Sequence, residues 1–181
     1  WQRCLNCDHK YETQKVDLAQ IPPRCTCGGI LRPDCIFFGE MIPPQHLYRS
    51  QQVSAACDVM LVVGTSAVVQ PAAYMPVIAK QNGAKIIAVD PRYHDTAATV
   101  VDEWVPIRPG TDTAVFVAMA HVMIKENLHD QSFLNKYTIG FDKFKEYVLG
   151  QEDGVEKTPA WAAEISDVDA ATIERLAREY A

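Results

Sequence analysis

Between Asp58 and Arg92 the chain reads DVMLVVGTSAVVQPAAYMPVIAKQNGAKIIAVDPR, and this stretch constrains the fold more than any other. Val59 to Val63 is an apolar run of strand length, followed by the small-residue turn Gly64-Thr65-Ser66. Pro71 to Gln81 has helical spacing, Asn82-Gly83 ends it, and Lys85 to Val89 is a second apolar run. Strand, loop, helix, strand is the pattern of two parallel strands joined by a crossover helix. It sets the first loop at the carboxyl edge of the sheet, where backbone N–H groups and a helix N-terminus can meet a phosphate or ribose. Asp90 ends the second strand, a position from which a carboxylate accepts hydrogen bonds from ribose hydroxyls or a purine edge. The loop lacks G-x-G-x-x-G, so it is not the dinucleotide fingerprint, and a buried βαβ unit without a ligand stays open on pattern alone.

Composition enters as a set of exclusions. With 181 residues and 48% hydrophobic residues the chain can bury a core as one domain or two small ones. A net charge of −6 argues against nucleic acid or an anionic membrane surface as the main partner, because both need a basic face. No apolar run approaches the roughly 18 residues that span a bilayer, and no charged-then-apolar leader is present. Opening on Trp1 without an initiator Met is the expectation for a fragment.

Four of the six cysteines fall in two close pairs, Cys4-x-x-Cys7 and Cys25-x-Cys27, with 17 residues between the pairs. Two such knuckles can supply four thiolates to one tetrahedral zinc, and metal is a better reading than disulfides. The second knuckle is one residue shorter than usual and demands a tighter turn, for which Gly28 and Gly29 offer backbone freedom. His9 is a substitute ligand by position, though a solvated histidine is the simpler reading. A closed zinc site is structural, not catalytic. The next segment, RPDCIFFGEMIPP, reads as a short extended piece from Asp34 to Phe38 that Pro43-Pro44 ends. It is either an apolar groove whose backbone pairs with an extended peptide or a strand packing two phenylalanines. Gln45 to Cys57 then reads as a helix with Cys57 buried as a small hydrophobe.

Taken in order, the two knuckles, RPDCIFFGEMIPP and CDVMLVVGTSAVVQPAA resemble the sirtuin family, NAD-dependent protein lysine deacylases, from Trp1 to roughly Val89. The resemblance implies a structural zinc on Cys4, Cys7, Cys25 and Cys27, and an acylated lysine peptide or protein as partner, bound by Ile36, Phe37, Phe38, Gly39 and Glu40. It also implies an NAD ribose at Gly64, Thr65 and Ser66, with Asp90 at the strand end where the family usually has Asn. The family's glycine-rich NAD loop, Gln-Asn-x-Asp segment and catalytic histidine precede the position of Trp1. His9, His46, His94, His121 and His129 do not match that histidine's motif. No catalytic residue is therefore assigned, and the isolated chain is expected to be inactive unless a missing catalytic segment or partner chain supplies them.

From Lys85 the text changes. Asp95 to Val101 reads as a loop or short turn, Trp104 to Ile107 as a strand, and Thr111 or Asp112 caps a long apolar helix to about Glu126. Further helices are expected over Leu128 to Tyr137, Phe144 to Leu149, Pro159 to Ile165 and Asp169 to Tyr180, with Ile173, Leu176 and Tyr180 on one face of the last. Gly150 to Lys157 reads as a polar connector. This half resembles the molybdopterin oxidoreductases of the dimethyl sulfoxide reductase family, from about Gly83 to Ala181. That resemblance implies a molybdopterin guanine dinucleotide whose guanosine end is held by Asp90, Arg92, Thr111 and Asp112. The family's molybdenum ligand, iron–sulfur segment and second dinucleotide lobe are absent from this sequence, so oxidoreductase activity is not expected of the chain by itself.

The expected architecture is α/β: a Rossmann-like parallel sheet with crossover helices over residues 34–126, a small zinc-ribbon-like module over residues 1–33, and a helical region over residues 127–181. The two resemblances meet between Gly83 and Asp90, as in a chimera, a natural fusion or a misassigned fragment. Reduced cysteines favour a cytoplasmic location.

Overall fold

The computed structural model describes residues 1–181, which divide into two compact units, Trp1–Leu47 and Tyr48–Ala181. In the first, β1 (Gln2–Cys4) is the centre of a three-stranded antiparallel sheet, with β2 (Lys10–Tyr11) on one side and β3 (Leu31–Pro33) on the other. Its core is small. Cys4, Cys25 and Leu31 are buried, with Tyr11 and Val16 packed against them.

The larger unit is built on a parallel sheet in the order β4 (Val59–Val63), β5 (Lys85–Val89), β6 (Glu103–Val105). The sequence run KIIAV forms the middle strand because it is apolar on both faces, as a parallel strand covered on both sides must be. Its side chains alternate. Ile87 and Val89 enter a core with Val105 and with Val115, Ala118 and Val122 of α4 (Asp112–Lys125), whereas Ile86 enters a second core with Val62 and with Ala79 of α2 (Met75–Gln81). Helix α1 (Pro44–Ala56) precedes β4 and starts at Pro44, where a missing N–H costs nothing. On the α4 side, α7 (Pro159–Ser166) and α8 (Ala170–Tyr180) complete the core with Ala162, Ile173, Leu176 and Ala177. Their N-termini are closed by Thr158, which accepts from the Trp161 N–H at 3.1 Å, and Asp169, which accepts from the Thr172 N–H at 2.9 Å. This is an α/β fold with a parallel sheet and helices.

Several expected elements differ. Pro71 to Gln81 splits into a tight turn, Ala72–Tyr74, and α2. The segment expected as a loop contains a short helix, α3 (Asp95–Thr99), begun by the His94 ring, which accepts from the Ala97 N–H at 3.4 Å. The expected strand Trp104 to Ile107 is β6, two residues shorter at its end, because Pro106 cannot donate to a ladder. Asp34 to Phe38 is not an extended strand: the regular strand ends at Pro33 and the chain curls, with the Glu40 N–H bonded to the Phe37 carbonyl at 3.0 Å. Its phenylalanines are not buried in a core, Phe37 and Phe38 being 50% and 91% exposed. In the second half, α5 (Gln131–Tyr137) begins three residues late, at the Asp130 cap, and α6 (Phe141–Val148) begins three residues early, after Gly140. Tyr180 is exposed while Ile173 and Leu176 are buried.

The connector Gly150 to Lys157 is pinned to its surroundings. The Glu156 carboxylate accepts from His121 Nε2 at 2.9 Å and pairs with Lys125 at 2.8 Å, both on α4. Lys157 is buried, its ammonium bonded to Asp153 at 2.6 Å and held 4.3 Å from the centre of the Tyr147 ring. Lys125 and then His121 hold the Glu156 carboxyl down at about 2, from an ordinary 4.5. A carboxyl depressed in the folded state contributes stability that is present above about pH 4.5 and lost as pH falls toward 2. Urea midpoints of the wild-type chain should therefore fall through that window more steeply than those of Glu156→Gln, and parallel curves would show that the clamp does not stabilise the fold.

Candidate functional site

The sulfurs of Cys4, Cys7, Cys25 and Cys27 lie within 4.8 Å of one another. The closest pairs are Cys4 with Cys27 at 3.5 Å, Cys7 with Cys27 at 3.5 Å and Cys7 with Cys25 at 3.6 Å. Sulfurs bonded at about 2.3 Å to one tetrahedral ion stand roughly 3.8 Å apart, so this donor set fits a single metal ion. The shape comes from local bonding: the Cys25 carbonyl accepts from Gly28, and the Gly29 carbonyl accepts from Cys25, both at 2.8 Å. Gly29 lies so close to Cys4 that a β-carbon there would stand 2.7 Å from the sulfur, which explains the glycine in the short second knuckle. The Asn6 N–H donates to Cys4 at 3.3 Å, and the Tyr11 hydroxyl lies 3.2 Å from the Cys25 sulfur. The Cys27 backbone N–H and then the Tyr11 hydroxyl bring the Cys25 thiol down to about 5. Cys7 is pushed up to about 12: its bond to the His9 backbone lowers it, and the neighbouring Cys27, Cys4 and Cys25 sulfurs outweigh that. Four thiolates this close cannot all ionise without a cation among them. His9 is exposed and stacks edge-on against Tyr11, 4.7 Å between ring centres, so it is not one of the grouped donors.

Past β3 the Ile36–Glu40 loop keeps its apolar residues outward, with Ile36 46% exposed. Gly39 has a φ of +86° and takes the left-handed conformation at the loop's turn. Glu40 turns back: its carboxylate accepts from the Phe37 N–H at 3.0 Å and pairs with both terminal nitrogens of Arg32.

At the carboxyl edge of the parallel sheet, Gly64 continues the pairing of β4 by donating to the Val89 carbonyl at 3.1 Å, with φ +59°. The Thr65 hydroxyl accepts from the Ala67 N–H at 3.1 Å, and the Ser66 carbonyl accepts from the Thr96 hydroxyl at 2.7 Å, tying this loop to α3. A cavity of about 290 Å³ lies beside it, lined by Val62, Thr65, Ala67, Ala73 and Pro76 among others. Asp90 is buried at the end of β5. One of its oxygens accepts from the Arg92 N–H at 2.8 Å, and the other lies 3.9 Å from His94 Nε2, a buried nitrogen with no hydrogen-bond partner. The Trp104 indole donates to the Asp90 carbonyl at 2.9 Å and meets Tyr93 edge-on at 5.1 Å. The Arg92 side chain is exposed. Thr111 and Asp112 are half-buried at the start of α4, and neither supplies a side-chain cap; the Thr111 hydroxyl donates instead to the Arg108 carbonyl at 2.6 Å.

The sequence reading missed Tyr11, Arg32, His94 and Trp104. Only Trp104 carried a signal, a large aromatic that opens the apolar run WVPI. The others act through contacts of eight or more residues' separation, or, for His94, through an unpartnered nitrogen.

Comparison with known proteins divides the chain. Residues 1–71 match the Sir2 family model and residues 49–171 match the molybdopterin oxidoreductase model, overlapping over 49–71 and bearing out the two resemblances. The dimethyl sulfoxide reductase DmsA of Haemophilus influenzae is 50% identical over 55% of this chain and 14% of its own. An NAD-dependent protein deacylase of Aquifex aeolicus is 46% identical over 49% of this chain and 38% of its own. The chain thus spans well under half the length of either relative. Among solved structures, a Sir2 homologue–NAD complex aligns with a TM-score of 0.52 and 39% identity, covering 57% of this chain and 40% of that one. A Sir2 bound to acetylated peptide aligns with a TM-score of 0.54 and 30% identity, covering 57% and 44%. No helix is long and apolar enough to cross a membrane.

Gly64 has open space where a β-carbon would go, so a substitution there meets only backbone strain. Gly64→Ala should cost about 1–2 kcal/mol in urea unfolding. No loss would show that the turn relaxes to a conformation any residue adopts.

Proposed function

We propose, from the premise that this chain belongs to the molybdopterin oxidoreductase family through residues 49–171 and is similar to Sir2 proteins over residues 1–71, that it joins two binding functions. The N-terminal unit acts as the zinc-bearing, peptide-binding part of a sirtuin-like NAD-dependent protein deacylase. The observation that carries this is the group of four sulfurs within 4.8 Å. Cys4, Cys7, Cys25 and Cys27 would hold a structural zinc in a zinc-ribbon-like module over residues 1–33, and the zinc would replace a hydrophobic core that so small a unit lacks. Ile36, Phe37, Phe38, Gly39 and Glu40 would offer an edge to an acylated lysine peptide, in keeping with the acetylated peptide held by a structural neighbour. Gly64, Thr65 and Ser66 would face the ribose of NAD from the carboxyl edge of the Rossmann-like core. Deacylation needs a base that none of these residues supplies, so the chain's own contribution is binding.

A second reading of the nucleotide is favoured by Asp90. A carboxylate only accepts hydrogen bonds, and guanine offers it a ring N–H and an amino group side by side. Asp90 is buried at the sheet edge with one oxygen turned away from Arg92. With Arg92, Thr111 and Asp112 it would hold the guanosine end of a molybdopterin guanine dinucleotide, the class of cofactor the chain's family implies.

Native mass spectrometry with added NAD or guanine nucleotide separates the two. Under the first reading NAD is retained and Ser66→Ala weakens it by about fivefold, the loss of roughly 1 kcal/mol for one hydrogen bond, with little loss of stability; unchanged affinity by calorimetry counts against the loop. Retention of guanine nucleotide alone favours the second. Cys27→Ser should lose the zinc-sized mass increment and melt the N-terminal unit, and unchanged metal content and melting would remove the structural zinc.

A further inference from the structure

We propose that Arg32 is a positioning residue for the acyl-lysine peptide, setting the shape of the Ile36–Glu40 loop through Glu40 and Phe37. This rests on the peptide-binding reading of that loop. Three kinds of contact converge on one guanidinium. Its terminal nitrogens pair with both oxygens of Glu40, the second at 2.9 Å; one also donates to the Cys35 carbonyl at 3.1 Å; and its carbon lies 4.6 Å from the centre of the Phe37 ring. Glu40 passes the constraint on by accepting the Phe37 N–H at 3.0 Å. The residue before the loop, Phe37 within it and Glu40 at its end are therefore fixed to a single side chain.

No hydrophobic core does this work. Ile36, Phe38 and Met41 are 46%, 91% and 83% exposed, so burial cannot hold the loop in one conformation. Arg32 itself is anchored, lying in β3 opposite Arg3 of β1, next to the register pair Cys4 and Leu31 that belongs to the buried centre of the unit. An exposed ion pair by itself stabilises little. Here the pair is bidentate, adds a backbone carbonyl and stacks on an aromatic ring, a combination available to arginine and not to lysine. The consequence falls on binding: a loop already ordered spares the peptide the entropy of ordering it.

The test uses the full chain and a labelled acetyl-lysine peptide, with affinity, amide exchange at Phe37, metal content and melting measured together. Arg32→Lys keeps the charge and should weaken the peptide by about tenfold, on the scale of one or two side chains left to be immobilised on binding. It should also speed exchange at the Phe37 N–H, with metal content and melting unchanged. If Arg32→Lys binds like the wild type while the wild type does bind, Arg32 has no positioning role and the peptide reading stands. A wild-type chain that binds no peptide overturns the peptide reading and this role together, and loss of metal in Arg32→Lys would assign Arg32 to folding instead.

Discussion

The register of β5 between β4 and β6 is the constraint on which the larger unit depends. Val59 stands beside Lys85 and Val63 beside Val89, while Ile87 to Val89 stand beside Glu103 to Val105. A slip of one residue would turn Ile87 and Val89 out of the α4 core and Ile86 into it. The amino end of the sheet holds this register with charge. Lys85 bonds Glu103 at 3.0 Å and Glu179 of α8 at 3.1 Å, Arg175 joins the same two carboxylates, and Asp102 accepts the Ile86 N–H at 2.9 Å. With that end closed by ion pairs, the open chemistry lies at the other, where Gly64, Asp90 and the turns that follow the strands project backbone and carboxylate groups.

The N-terminal unit solves a different problem. Its core is Cys4, Cys25 and Leu31, too few apolar side chains to offset the entropy of ordering nearly fifty residues. The sulfurs are grouped at that core and differ in acidity: the Cys27 backbone N–H and the Tyr11 hydroxyl bring Cys25 down to about 5, while Cys7, against its bond to the His9 backbone, is pushed up to about 12 by the neighbouring sulfurs. On the proposed zinc reading a divalent cation would relieve the repulsion among these sulfurs and join residues 4 and 27 in one step, and folding and metal binding would be the same event.

Legibility in the sequence followed the range of the interaction. Strands β4 and β5 and helices α4, α7 and α8 were readable because apolar periodicity is local and their caps, Thr158 and Asp169, stand next to the helices they start. The cysteine group was readable because knuckle spacing reports ligand geometry directly. Loop Asp34–Glu40 was not, since two adjacent phenylalanines look like core and nothing local says that Arg32 will hold Phe37 at the surface and leave Phe38 exposed. The connector Gly150–Lys157 was read only as polar, and its position is set by His121 and Lys125, some thirty residues upstream. Contacts of that kind leave no period in the text.

Both family models claim residues 49–71, which carry α1 from Arg49, the whole of β4 and the turn after it. The sequence reading put the meeting point later, between Gly83 and Asp90. What the overlap shares is a parallel strand ending in a glycine turn, and that is a property of sheet geometry rather than of any one ligand. Of the residues proposed to contact a ligand, only Gly64, Thr65 and Ser66 lie inside it; the four cysteines and Ile36–Glu40 lie on one side, and Asp90, Arg92, Thr111 and Asp112 on the other. A strand and turn acceptable to both families can join them without strain in the sheet, and for the same reason it cannot decide between them. Under either proposed reading, selectivity at a nucleotide would turn on Asp90, because a buried carboxylate with one oxygen held by the Arg92 N–H would accept what a purine or ribose donates and offer no donor in return.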